Sequence, residues 1–232
     1  MTNLTTGHLL GELSAFGLAL AISPLHIGLL LLLLLGERPR LRGVVFVLAW
    51  WATSALVVAA LLTVGHGLLL SMEKGTAHRT GLDLLAAGAL LALGLKELLN
   101  RGEENAPPGW ADKLERFCAL PLPLLLALSI GLQIISPDDL FLFAKTAGSL
   151  LEAGLAPGQE VVGTLLFSLT SSLLLLLPLL ALLLLGSERV LPLLRGGKAW
   201  LLARGDALVG LVSLGLALYL GWQGIEGLQL SL

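Results

Sequence analysis

The sequence predicts an all-α, polytopic membrane protein of six transmembrane helices, arranged as two inverted three-helix repeats with spans one and four broken at Pro24 and Pro137. Three observations predict it: too few charges for a water-facing surface, apolar runs of bilayer length, and a short motif that recurs in the second half. Of 232 residues, 56% are hydrophobic and 13% charged, and the mean hydropathy is +0.92. A soluble domain carries roughly 25% charged residues, because its surface must face water. Lipid is the solvent that suits this chain.

A spanning helix needs about 20 apolar residues to cross a hydrocarbon core of about 30 Å. Spans are expected near 9–35, 43–70, 80–99, 119–150, 159–186 and 201–226. Gly36-Glu37-Arg38-Pro39-Arg40 and Ser71-Met72-Glu73-Lys74-Gly75 read as tight turns. Asn100 to Cys118 is the longest connector, and Gly186 to Lys198 reads as the last loop. The chain divides into a first repeat (1–99), a connector (100–118) and a second repeat (119–232) of one integral membrane domain. Met1 to Gly7 lacks the basic segment of a cleaved signal, so the first apolar stretch is expected to stay as a helix.

Lys and Arg are distributed unevenly over alternate loops. Arg38, Arg40, Arg42, Lys96, Arg101, Lys113, Arg116, Arg189, Arg195, Lys198 and Arg204 fall on one side, against Lys74 and Arg79 on the other. The positive-inside rule puts the larger group in the cytoplasm and both termini outside, in a bacterial inner membrane. The net charge of −2 argues against a nucleic-acid partner, and the single Cys118 excludes an intramolecular disulfide or two-thiol relay.

The internal repeat is the most informative pattern. Ile22-Ser23-Pro24 recurs as Ile135-Ser136-Pro137. Val44-Val45 followed by Thr53-Ser54 recurs, with the same spacing, as Val161-Val162 followed by Thr170-Ser171. Arg79 and Asp83 open the third span, and Arg204 and Asp206 the sixth. Repeats with an odd number of spans lie upside down relative to each other, the plan of many secondary transporters.

Spans one and four are the candidates for function. Span four would be roughly 48 Å long if straight, so it must tilt, break or re-enter. Proline removes a backbone donor and crowds the preceding turn, which places the breaks at Ser23-Pro24 and Ser136-Pro137. Backbone opened at mid-membrane is tolerated where protein or water satisfies it, and two facing breaks would line one cavity. Asp138 and Asp139 follow Pro137 at the start of a half-helix. They read either as N-cap residues or as acids facing that cavity. Lys145, seven residues after Asp138, is a counter-ion or substrate contact, and Gln133 precedes the break. In the first half the position after the proline carries Leu25-His26, and His26 titrates near neutral pH when unperturbed. Thr53, Ser54, Thr170 and Ser171 read as substrate ligands or as helix-packing hydroxyls. Arg79 and Arg204 are expected to pair with Asp83 and Asp206. Trp50 and Trp51 fall too deep for an interfacial belt and are expected in the core.

Ala-Ile-Ser-Pro-Leu-His-Ile-Gly (residues 21–28), the basic Pro-Arg-Leu-Arg-Gly turn (39–43) and a proline-centred fourth span resemble the GAP family of sulfolipid- and peptidoglycolipid-addressing proteins, in the lysine-exporter superfamily. The resemblance covers nearly the whole chain and implies a six-span inner-membrane exporter. Lysine-exporter branches often carry Asn-Pro-Lys near this proline. Here Ser136-Pro137-Asp138 and Ser23-Pro24-Leu25 stand instead, which leaves an acidic site suited to a cation, a proton or an amine.

The expected function is a secondary transporter that exports a small polar solute or lipid by alternating access, coupled to a proton or cation through Asp138 or Asp139. Lipid addressing through a cavity that opens sideways is the alternative. A divalent-metal exporter with Asp138, Asp139 and His26 as ligands is another. No nucleophile–base arrangement, His-Glu-x-x-His or glycine-rich phosphate loop occurs, so neither an enzyme nor a cofactor is expected. Membrane lipid is the expected surrounding partner, and small-residue spacings such as Gly11 to Ala15 permit a homodimer.

Overall fold

The computed structural model describes residues 2–68, 76–99, 117 and 120–230, and these are helical with short breaks. The chain runs α1 (Thr2–Ala21), α2 (Pro24–Leu35), α3 (Pro39–Gly67), α4 (Ala77–Leu99), α5 (Leu122–Ile135), α6 (Pro137–Glu152), α7 (Pro157–Ser171), α8 (Leu173–Leu185) and α9 (Ser187–Leu230). The expected turn at Ser71–Gly75, and the connector 100–118 with its Cys118, lie outside the described residues apart from Phe117.

Prolines open many of these helices. Pro24, Pro39, Pro137 and Pro157 stand in the first turn, where a missing N–H costs nothing and the fixed φ suits a helix. The turn between α2 and α3 reverses the chain within three residues, with Arg38 in the left-handed region at φ 50°.

α1 and α2 meet at 60°, and α5 and α6 meet at 69°. Ser23 (φ −97°, ψ 109°) and Ser136 (φ −68°, ψ 116°) are the extended residues at the two breaks. Each carbonyl is recovered four residues on: Ile27 donates to Ser23 O at 3.0 Å and Leu140 to Ser136 O at 3.1 Å. Both breaks therefore fall where the two prolines place them.

Two features differ from the sequence expectation. The fifth apolar run bends by 64° at Ser172, between α7 and α8, while Pro178 sits inside α8. The hydroxyls of Ser168, Thr170, Ser171 and Ser172 all donate to carbonyls three or four residues earlier, a pattern that bends helices. Trp50 Nε1 donates to Ser171 O at 3.3 Å and satisfies a carbonyl at the bend. Of the expected loop 186–198, residues 187–198 are helical and form the start of the 44-residue α9. Pro192 lies near its N-terminus, where one hydrogen bond is lost, and Gly196 and Gly197 each cost about 1 kcal/mol in a helix interior. Tertiary burial offsets this: Val190, Leu194 and Leu201 sink into the core, while Arg189, Arg195 and Arg204 on the other faces stay exposed.

Two segments are long and apolar enough to cross a membrane, α3 and Ala207–Leu230 of α9, or up to five if each bent pair is one span. α4 is long enough at about 35 Å but carries Arg79, Asp83, Lys96 and Glu97. It lies along α9, with close approaches at glycine. A Cβ on Gly94 would stand 3.0 Å from Gly210 O and 2.8 Å from Leu214 Cγ. Small residues let membrane helices approach in this way. The core joins Leu13, Phe16, Leu30, Phe46, Trp50 and Phe143. Leucines such as Leu56, Leu85, Leu184 and Leu218 point outward. Leucines thus both fill the core and cover the outer surface, as a lipid-facing protein allows.

Candidate functional site

The described interior holds two polar centres. The first is a cavity of about 250 Å³ between the two helix breaks. Ser23, Pro24 and His26 line it from the first break, and Ser136 and Asp139 from the second. α4 contributes Leu90, Leu93 and Glu97, and α9 contributes Val209, Val212 and Ser213. Two extended serines thus bring residues 113 positions apart to one space.

Asp139 is buried, at 2% exposure. The side chains of Pro137 and Asp138 lie outside the described part of α6. His26 is 2% exposed, and its Nδ1 stands 2.5 Å from Ser23 Oγ. Its ring meets Trp50 edge-on at 4.1 Å between centroids, and its Nε2 has no hydrogen-bond partner among the described residues. Trp50 is buried, in the core where the sequence placed it.

The second centre is a buried network of ion pairs across three helices, joined to a fourth by a hydrogen bond. Arg79 on α4 lies 3.6 Å from Glu12 on α1, 3.6 Å from Asp83 one turn on, and 3.2 Å from Glu152 on α6. Lys145 on α6, fully buried, donates to Asp83 Oδ1 at 2.5 Å and to Gln223 Oε1 on α9 at 2.9 Å. Gln223 in turn donates to Tyr219 Oη at 2.7 Å. The ammonium also stands 5.9 Å from the centre of the Phe16 ring. Each charge has an opposite neighbour, which is what buried ions require. Arg79 pairs with Asp83 as the sequence suggested. The side chain of Asp206 lies outside the described part of α9.

The remaining candidates sit elsewhere. Gln133 Nε2 donates to Trp50 O at 3.2 Å, and Ser54 reaches its Oε1 at 3.5 Å, so this amide ties α5 to α3. Ser54, Thr170 and Ser171 return hydrogen bonds to their own helices. Thr53 is buried on α3. None of these five is among the residues lining the cavity.

Sequence reasoning missed Glu12, Glu97, Glu152, Gln223 and Ser213. Glu12 carried a usable signal, since it is an acid inside the first predicted span, the criterion that singled out Lys145 and the aspartates. A further link missed is the pair His66 Nε2 and Glu160 Oε1 at 2.9 Å, which joins the end of α3 to the start of α7. No group of three His, Cys, Asp or Glu among the described residues could hold a metal ion.

No curated protein and no solved structure matches the chain. A family model described as "Sap, sulfolipid-1-addressing protein" matches residues 13–226. With nearly its whole length matched, and a helical interior built around two proline breaks, the chain belongs to the sulfolipid-1-addressing protein family.

Proposed function

We propose that the chain is a secondary transporter of the bacterial inner membrane that moves a small polar solute, or the headgroup of a lipid, by alternating access. The observation that carries this reading is the shared cavity: both Ser-Pro breaks line it, together with a buried carboxylate and an imidazole. Counting α4 and each bent pair as spans gives six, in two three-helix halves of opposite orientation within the lysine-exporter superfamily. The positive-inside rule then places Arg38, Arg40, Arg42 and the start of α9 in the cytoplasm. Glu97, near the last turn of α4, marks the cytoplasmic end of the cavity.

The ion-pair network lies towards the opposite end. Glu12 precedes the first break by about 16 Å of helix, and Glu152 follows the second by about 24 Å. In this reading the network is the closed extracytoplasmic gate, and transport requires α1, α4, α6 and α9 to part there. A proton or cation at Asp138 or Asp139 couples the two states.

The family description favours lipid cargo, and a cavity of this size takes a headgroup while acyl chains stay in the bilayer. The test compares spent medium and envelope lipids of cells with the wild-type protein, without it, and with Asp138→Asn/Asp139→Asn. A polar solute leaving only with the wild type supports solute export. A lipid whose leaflet or abundance follows the wild type supports lipid addressing. Normal export by the double variant and both single variants sinks the role of the acids.

A further inference from the structure

We propose that the first half of α9 is a docking face for the anionic phospholipid headgroups of the cytoplasmic leaflet. The inference rests on the membrane orientation given above and is independent of what is transported.

α9 has 44 residues and is about 66 Å long, against about 40–45 Å for a bilayer with its headgroups. Ala207–Leu230 is the part long and apolar enough to span, so about 30 Å of helix precedes the span. One side of that stretch is covered by the protein, since Val190, Leu194 and Leu201 are buried. A turn of about 100° per residue places Arg189, Leu193, Trp200 and Arg204 within one arc of about 60° on another side. All four are exposed, Leu193 at 70% and Trp200 at 53%. Arg195 is exposed on the other flank of the buried stripe. Arginine alternating with leucine and tryptophan suits a headgroup layer: the guanidinium meets phosphate, while the apolar groups reach the acyl boundary.

The turn between α2 and α3 lies towards the same end. α2 runs against α9: Leu25 and His26 line the cavity with Val209 and Ser213, whereas a Cβ on Gly197 would meet Leu31 Cδ1 at 3.7 Å. The turn that follows Leu35 therefore faces the start of α9 and brings the exposed Arg38 and Arg40 there. Across residues 36–42 and 187–204, seven basic residues stand against Glu37 and Glu188. Arg42 and Lys198 have interactions within the protein. Arg38, Arg40, Arg189, Arg195 and Arg204 pair with no acid among the described residues. Clusters of about four to eight basic residues beside a span attract an anionic leaflet. Charge complementarity thus names the occupant, and exposed Trp200 suits its depth, because indole rings settle at the headgroup level.

The test uses the full-length protein in nanodiscs of mixed phosphatidylglycerol and phosphatidylcholine, with one lipid or the other brominated. Brominated acyl chains quench nearby tryptophans, and Trp200→Phe identifies the share due to Trp200. Phosphatidylglycerol should be favoured at Trp200 by about fivefold or more at low salt, and the preference should shrink at about 0.5 M NaCl. Arg189→Gln/Arg195→Gln/Arg204→Gln should bring the two lipids close to parity. Should that variant melt as poorly folded protein, Arg204→Gln alone should lower the preference by about twofold or more. Equal quenching by the two lipids in the wild type overturns the proposal and leaves an acidic protein as the occupant. A preference unchanged in both variants overturns it too. Labelling of Arg195→Cys, in a Cys118→Ser background, by an impermeant maleimide in intact cells would overturn the cytoplasmic placement. A protein that prefers phosphatidylglycerol in this way but moves no cargo in proteoliposomes upholds the docking face and defeats the transport reading alone.

Discussion

The cavity and the ion-pair network both hold acids within an apolar protein, yet they surround them differently. In the network, three carboxylates from α1, α4 and α6 each meet Arg79 or Lys145 within 2.5–3.6 Å. The space there is filled by the protein's own counter-ions. In the cavity, the two carboxylates Glu97 and Asp139 share about 250 Å³ with hydroxyls and an imidazole, and no basic side chain lines the walls among the described residues. A group held by internal partners stabilises one conformation. Side chains that line open volume can also meet something that enters. The first centre is accordingly expected to govern stability and the second cargo.

The largest expected effect tests the network. Lys145→Met leaves Asp83 buried without its closest cation and should cost about 3–5 kcal/mol of stability, read as a loss of folded protein in thermal melts. Lys145→Met/Asp83→Leu removes both charges and should recover a substantial part of it. If the single variant melts like the wild type, the two centres do not differ as argued. Next is Gly94→Val, which drives a side chain into Gly210 O and Leu214 where α4 meets α9. Overpacking of this kind costs about 1–3 kcal/mol. Because α4 and α9 supply one wall of the cavity, cargo binding should fall with it. A variant with wild-type melting and binding would show that this contact does not shape the cavity. The smallest effect is expected at Thr170→Val. Among the described residues Thr170 Oγ1 bonds to Leu166 O and Phe167 O of its own helix, so stability should fall by no more than about 1 kcal/mol, with transport rates retained. A strong transport defect there would extend the functional surface from the cavity to the α7–α8 bend.

Much of this contrast was legible in the sequence, for local reasons. Pro24 and Pro137 break their helices wherever the rest of the chain goes, because the missing N–H and the clash with the preceding turn are properties of the residue. Arg79 and Asp83 stand one helical turn apart, so their pairing follows from spacing. The pairing of Lys145 was not legible. Two turns from Asp138 on one helix, it read as a counter-ion or a substrate contact, and the fold brings Asp83, 62 residues away, to 2.5 Å. Thr53, Ser54, Thr170 and Ser171 matched the repeat pattern, and only their positions in the fold set them outside the cavity lining.

By itself, the sequence determined that this chain lives in lipid, that two of its apolar helices break at Ser-Pro, and that acids and a histidine follow those breaks. These are consequences of composition and of backbone chemistry within a few residues. Tertiary structure alone decided which acids join the ion-pair network and which line the cavity. It also decided that the fifth apolar run bends at Ser172 while Pro178 stays inside a helix, and that residues 187–198 continue as helix despite Pro192 and two glycines. Each of these outcomes depends on partners far away in the chain: Trp50 for the carbonyl at the bend, the core for Val190 and Leu194, and Asp83 for Lys145. The pattern of residues along a helix cannot specify them, because the energies that select them arise only when the helices are packed together.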